Sequence, residues 1–191
     1  MKVLGIVGSP RKGGNTEILV EEVLASAREA GAETEIFLVA DKTINGCDGC
    51  GSCFKTGMCK IKDDMQQLYP RMEAADAIIL GSPVYFHDVT AQAKAIIDRT
   101  FVYLADNILK GKVASQVLAL RRVGGGQTRA HLYGVFIAHG MIPTRGAIGY
   151  GREKGDVRTG LPGRREPNNA MEEARAEGKD IIDMLNRLGV K

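Results

Sequence analysis

Tryptophan is missing from this 191-residue chain, and five phenylalanines with five tyrosines make up all of its aromatic content. Against so few rings, any place where two stand together is conspicuous. No stretch reaches the roughly 18 apolar residues a membrane helix needs. Neither sign of charge dominates: 26 Lys and Arg face 23 Asp and Glu, for a formal net charge of +3. That is too small for a nucleic-acid binder that works by neutralising phosphates. With 44% hydrophobic and 26% charged residues, disorder and collagen-like repeats are excluded as well. The opening apolar run, Met1 to Val7, is too brief for a signal-peptide core, and Gly8-Ser9-Pro10 follows it instead of a small-residue cleavage site. A single domain over residues 1–191 in the cytoplasm, with no membrane and no nucleic-acid partner, is the expectation. Two things are plentiful. Glycine occurs 24 times, and all four cysteines fall between positions 47 and 59. In a reducing compartment such a cluster points to metal binding or redox chemistry before structural disulfides.

Near-continuous apolar runs at Val3 to Val7, Ala77 to Leu80 and Val113 to Leu120 read as strands buried on both faces of a parallel sheet. Thr34 to Val39 and Ile142 to Ile148 complete a set of five. Between them, helices are expected at 16–30, with Leu19, Val23, Ala27 and Ala30 on one stripe, at 63–75 with a kink or restart at Pro70, at 90–103 with Ala93, Ile96, Ile97 and Phe101 inward, and at 127–138. A last helix starts near Asn168, its expected N-cap, and turns Ala170, Ala174, Ile181, Met184, Leu185 and Leu188 inward. Alternating strand and helix gives an α/β fold of three layers, α/β/α, around a doubly wound five-stranded parallel sheet in the flavodoxin-like order 2-1-3-4-5. Residues 41–62 form a cysteine-bearing loop. Residues 149–167 carry no apolar period and read as an irregular arm, too long for an ordinary loop inside a compact domain.

Ligands of such folds bind beyond the carboxyl ends of the strands, so the loops after strands 1, 3 and 4 should meet. The first is Gly8-Ser9-Pro10-Arg11-Lys12-Gly13-Gly14-Asn15-Thr16, running straight into a helix. Its hydroxyls, free amides and helix N-terminus suit a phosphate dianion. Lacking a Gly-Lys-Ser/Thr ending, it is no triphosphate loop, and a plain turn with a helix cap is the other reading. The second, Gly81-Ser82-Pro83-Val84-Tyr85-Phe86-His87, offers amides beside flat apolar surface, as a flavin ring requires, although Phe86 could instead pack into the core. The third, Arg122-Val123-Gly124-Gly125-Gly126-Gln127, allows close backbone approach to a ligand or is only a flexible turn.

These three loops resemble the FMN-binding loops of the flavodoxin-like NADPH-dependent FMN reductase superfamily over about residues 1–148. The resemblance implies that Ser9, Arg11, Asn15 and Thr16 hold the FMN phosphate. It also implies that Pro83, Val84, Tyr85 and Phe86 line the isoalloxazine, with Gly124, Gly125 and Gly126 bounding its other side.

Cys47, Cys50, Cys53 and Cys59 make a Cys-x2-Cys-x2-Cys-x5-Cys motif. Two-residue spacers can wrap a backbone around a 4Fe-4S cluster, with Gly46, Gly49, Gly51 and Gly57 permitting positive φ and Lys55, Lys60 and Lys62 offsetting charge. Zinc is a rival ligand, though structural zinc knuckles are usually spaced further apart, and a redox-active disulfide is another. Cysteine motif and flavin loops together resemble the iron-sulfur flavoprotein family. That resemblance implies one FMN and one 4Fe-4S cluster per subunit, a homodimer or homotetramer, a ferredoxin-like electron donor and a small acceptor such as oxygen or peroxide. An NAD(P)H-dependent FMN or quinone reductase with a structural or redox-active cysteine loop is the alternative. A flavodoxin-like carrier fits less well, since such carriers are typically acidic and this chain has a pI near 8.7. No side chain is expected to act as a nucleophile. His87, His131 and His139 show no triad or metal spacing, while Asp98, Arg99, Arg164 and Arg165 read as solvated charges.

Overall fold

A computed structural model describes residues 1–159 and 169–190. Six strands, β1 (Lys2–Val7), β2 (Glu33–Leu38), β3 (Ala77–Pro83), β4 (Val113–Leu120), β5 (Ile142–Pro143) and β6 (Ala147–Tyr150), form one parallel sheet ordered β2-β1-β3-β4-β5, with β6 also paired to β4. This is the expected flavodoxin-like order. Helices α1 (Asn15–Glu29) and α7 (Ala170–Arg187) cover one face; α3 (Met65–Ala74), α4 (Ala91–Arg99) and α5 (Gly125–Ala138) cover the other. Two short helices complete the set, α2 (Ser52–Thr56) and α6 (Asp156–Thr159).

The uninterrupted apolar character of the central strands follows from this layering. Along β1, Leu4 and Ile6 pack with α3, α4 and α5, whereas Val3 and Val7 pack with α1 and α7. A side-chain period of two feeds both cores, so neither face of the strand tolerates polarity. Helix α4 starts at Thr90, whose hydroxyl accepts from the Ala93 amide at 3.1 Å, and passes into a turn of 3-10 helix at Thr100–Tyr103.

Several expectations need correction. The fifth strand is two short pieces, because the buried Glu177 carboxylate of α7 accepts from the Gly146 amide at 2.7 Å and from the Thr144 hydroxyl. The Gly146 amide is thereby drawn out of the ladder, although the Thr144 amide still donates to the Ala114 carbonyl at 2.8 Å, and residues 144–146 loop between β5 and β6. Helix α3 runs unbroken through Pro70, which sits on its exposed side. Ala30 lies at the exposed C-cap of α1, outside the buried stripe. Phe101 and Leu188 are exposed. The arm is in part ordered, as β6, a turn and α6. Its residues 160–167, with Arg164 and Arg165, and the expected cap Asn168 lie outside the described residues.

Glu177 is fully buried and also accepts from the Ser115 hydroxyl at 2.7 Å. Desolvation raises its pKa above the usual 4.5. A folded pKa above the unfolded one means that protonation favours the folded chain. This contribution is full below the unfolded value and is lost as pH rises through the folded one. Glu177→Ala strands the Ser115 hydroxyl and the Gly146 amide, while the Thr144 hydroxyl keeps the Ala114 carbonyl, and should cost on the order of 3 kcal/mol. In urea titrations, the gap between wild type and variant should be wider at pH 4 than at pH 8.

Candidate functional site

The ends of β1 and β3 are clamped together. The Gly8 amide donates to the Gly81 carbonyl at 2.7 Å, and the Thr90 hydroxyl donates to the Gly8 carbonyl. There is no room for side chains here: a Cβ on Gly8 would lie 2.6 Å from that of Ala93, and one on Gly81 would lie 2.5 Å from Val20 Cγ2. Backbone bonds continue sideways, from the Val84 amide to Ala119 at 2.9 Å and from the Gly151 amide to Leu120 at 3.0 Å. Four loops are thereby tied side by side. Between them lies a cleft of about 360 Å³, within the usual size of a small-molecule site.

The cleft has two chemical halves. One wall holds Ser9, Arg11, Lys12, Gly14, Asn15 and Thr16 at the start of α1; another holds Pro83, Val84 and Tyr85 with Ala119 and Leu120. Helix α1 has no side-chain cap, so its first-turn amides keep their anion-binding capacity. The Ser9 hydroxyl accepts from the Arg11 amide at 3.1 Å, which folds the loop back on itself. Arg121, Arg152 and Lys154 add three cations to Arg11 and Lys12, against Glu153 as the acid in the lining. A cationic end beside an apolar slot matches a phosphate joined to a flat ring. This arrangement fits FMN, and seven of the residues expected to contact it line the cleft.

The other four do not. Phe86 is fully exposed, with φ of 47°, and meets the His87 ring edge-on outside the cleft lining. Gly124 serves the loop beside it: φ is 100°, and a Cβ would come within 3.0 Å of His87 Cα and Val84 Cγ1. Gly125 packs near Leu120 and Ile148, and Gly126 is open to solvent. The contribution of strand 4 comes one turn earlier, from Ala119, Leu120 and Arg121. Asn15 lines the cleft but spends its amide elsewhere, donating to the Glu153 carbonyl and accepting from the Gly155 amide, each at 2.8 Å. The start of the arm, which sequence reasoning left without a role, is thus latched over the phosphate loop as its outer wall. Of the histidines, His87 meets Gln127, His131 pairs with Asp88, and His139 bonds Thr100.

A second hollow opens in the loop after β2. Cys47, Cys50, Cys53 and Cys59 all line it, as free thiols, with Lys60, Ile61, Asp98, Arg99, Phe101 and Val102. Its volume is about 20 Å³. Gly49, Gly51 and Gly57 have φ of 67°, 68° and 69°, the left-handed geometry that lets the chain turn around a centre, while Gly46 does not. Helix α2 carries Cys53 inward between two of those glycines. Among the described residues, no three His, Cys, Asp or Glu side chains gather in single-ion geometry. Lys60 pairs with Asp48 at 2.9 Å and draws that carboxyl down to about 2.

Beneath the cysteines sits Arg99, read from sequence as a surface charge. It is the largest fully buried side chain among the described residues and pairs with Asp63 at 2.8 Å. Its Nε is buried without a hydrogen-bond partner. An orphaned donor in the wall of a four-thiol hollow fits an acceptor-rich anionic group there, which is the chemistry of a thiolate-bound iron-sulfur cluster.

Comparison with known proteins agrees with this geometry. The family profile described as NADPH-dependent FMN reductase matches residues 1–153. The iron-sulfur flavoprotein MJ1083 of Methanocaldococcus jannaschii is 40% identical over 195 residues, covering 97% of each chain. An iron-sulfur flavoprotein of Archaeoglobus fulgidus is 40% identical over 158 residues, covering 82% of this chain and 72% of the relative. In fold, the crystal structure of RosB with a bound 8-demethyl-8-formylriboflavin 5'-phosphate intermediate superposes with a TM-score of 0.74 at 16% identity, covering 99% of this chain and 80% of that one.

The Asn15 latch has a direct readout. Asn15→Ala should speed hydrogen exchange at the Gly155 amide by about tenfold or more, since that amide loses its acceptor among the described residues. Unchanged exchange would show that the arm is held by other means.

Proposed function

The chain belongs to the NADPH-dependent FMN reductase family, and from that premise we propose that this flavin-dependent oxidoreductase couples FMN in the cleft to a 4Fe-4S cluster in the cysteine hollow. Electrons would come from a ferredoxin-like donor and leave to a small acceptor such as oxygen or peroxide. The observation that carries the reading is the presence on one chain of a cationic, flat-walled cleft and a ring of four free thiols over a buried cation. Bound FMN supplies one- and two-electron chemistry, and a 4Fe-4S cluster supplies single-electron transfer. The protein's own work is positional. The α1 amides with Ser9, Arg11 and Thr16 anchor the phosphate, Pro83 to Tyr85 and Leu120 set the ring against an apolar wall, and the four thiolates of Cys47, Cys50, Cys53 and Cys59 hold the iron.

Strand β2 is an edge of the sheet, so the cysteine loop that follows it faces outward. Exposed Phe54, Met58 and Phe101 flank the loop, and Phe86 stands beside the cleft. Such exposed apolar side chains support a homodimer or homotetramer in which the loop of one subunit approaches the flavin of another. A second reading, an NAD(P)H-dependent FMN or quinone reductase, draws on Arg121, Arg152 and Lys154 at the cleft, which suit a further anionic ligand.

Anaerobic purification should yield about four iron and four acid-labile sulfide per FMN. Stoichiometric zinc, or no metal, would overturn the cluster. Cys53→Ser should lose iron while keeping FMN. Arg11→Ala should keep iron and weaken FMN binding about tenfold or more, as expected for loss of a charge-assisted contact to phosphate. Rapid NADPH oxidation without ferredoxin would favour the second reading.

A further inference from the structure

Arg99 closes α4 where a charged side chain would ordinarily face water, yet it is wholly buried. Its two terminal nitrogens are fully used. Nη1 donates to the Asn45 carbonyl at 3.0 Å and to Asp63 Oδ2 at 2.8 Å; Nη2 donates to the Ile61 carbonyl and Asp63 Oδ1, both at 3.2 Å. Asn45 precedes the first cysteine by two residues, and Ile61 follows the last by two. One guanidinium therefore grips both ends of the cysteine segment. Asp63 is itself fixed, accepting from the Asn45 and Met65 amides.

Nε is left over. Three buried side-chain nitrogens or oxygens lack a partner among the described residues, and Arg99 is the one of the three residues that lines the cysteine hollow. A buried donor on a cation is costly to leave unpaired, and a native fold rarely does so without an acceptor to come.

We infer that Arg99 is a positioning residue for the iron-sulfur group: it clamps the two ends of its loop, and its spare Nε–H and buried charge favour the reduced cluster. This rests on the cluster reading above. Each added electron makes a thiolate-bound cluster more negative. A nearby cation and an N–H donor to sulfur stabilise that charge and raise the reduction potential. Asp63 acts in the opposite sense. Lys60 and Asp98 also line the hollow, but Lys60 is exposed and Asp98 half-buried, and each is paired towards solvent, with Asp48 and Lys94, so their fields are screened. Opposite signs from two touching residues separate an electrostatic role from a scaffolding one.

The test is a potentiometric titration of the anaerobic holoprotein followed by electron paramagnetic resonance, with iron and sulfide counted. It compares wild type, Arg99→Gln, Arg99→Lys and Asp63→Asn. Arg99→Gln should shift the cluster potential downward, Asp63→Asn should shift it upward, and Arg99→Lys should fall between Arg99→Gln and wild type. If Arg99→Gln alone fails to hold iron, the Arg99→Lys and Asp63→Asn shifts decide the matter with the same signs. Unchanged potentials, or shifts of both residues in one direction, overturn the inference. So does loss of iron from all three variants, which would leave the pair a clamp and nothing more. Wild type without iron and sulfide would instead overturn the cluster reading itself.

Discussion

The cleft of this molecule hangs from a short row of backbone hydrogen bonds across the carboxyl ends of the strands. Gly8 meets Gly81, Val84 meets Ala119, and Leu120 meets Gly151. Parallel strands deliver their ends to one edge of the sheet, but the register alone would leave the loops free to splay. The contact between Gly8 and Gly81 prevents this, because Ala93 and Val20 fill the space where a Cβ would be. With the loops fixed at this spacing, amides at the start of α1 and the apolar wall after β3 face one cleft.

Charge is arranged by the same economy of position. A net charge of +3 conceals a cleft lined with five cations and, elsewhere, an arginine buried against one aspartate. Exposed cations can serve an anion that comes and goes, since water screens them when it is absent. A buried guanidinium has no such relief and must be matched permanently. Arg99 is matched by Asp63 at its terminal nitrogens, keeps an Nε without a partner among the described residues, and lines the same hollow as the cysteines.

Much of this was legible in the sequence. Continuous apolar runs gave the parallel sheet, because strands buried on both faces leave no polar alternation, and its order followed from the expectation of five strands in so short a chain. Seven cleft residues were legible too, through the resemblance of the first two loops to FMN-binding loops. What was not legible depended on partners far away in the chain. Asn15 lines the cleft as expected, but its amide is engaged by the turn at Glu153 to Gly155. Gly124 looked like a ligand contact, but the crowding that demands a glycine comes from Val84 and His87. Arg99 looked solvated because its helix is amphipathic, and only the return of the cysteine loop over it makes it interior. The break between β5 and β6 likewise arises from Glu177, some thirty residues downstream.

The central claim is that one chain joins a flavin cleft to an iron-sulfur hollow. Crystals grown without oxygen and measured on both sides of the iron absorption edge test it most directly. The account predicts an anomalous iron peak among Cys47, Cys50, Cys53 and Cys59, with flavin density between Arg11 and Leu120. An iron-free hollow closed by a disulfide, or a peak that appears only at the zinc edge, would contradict it.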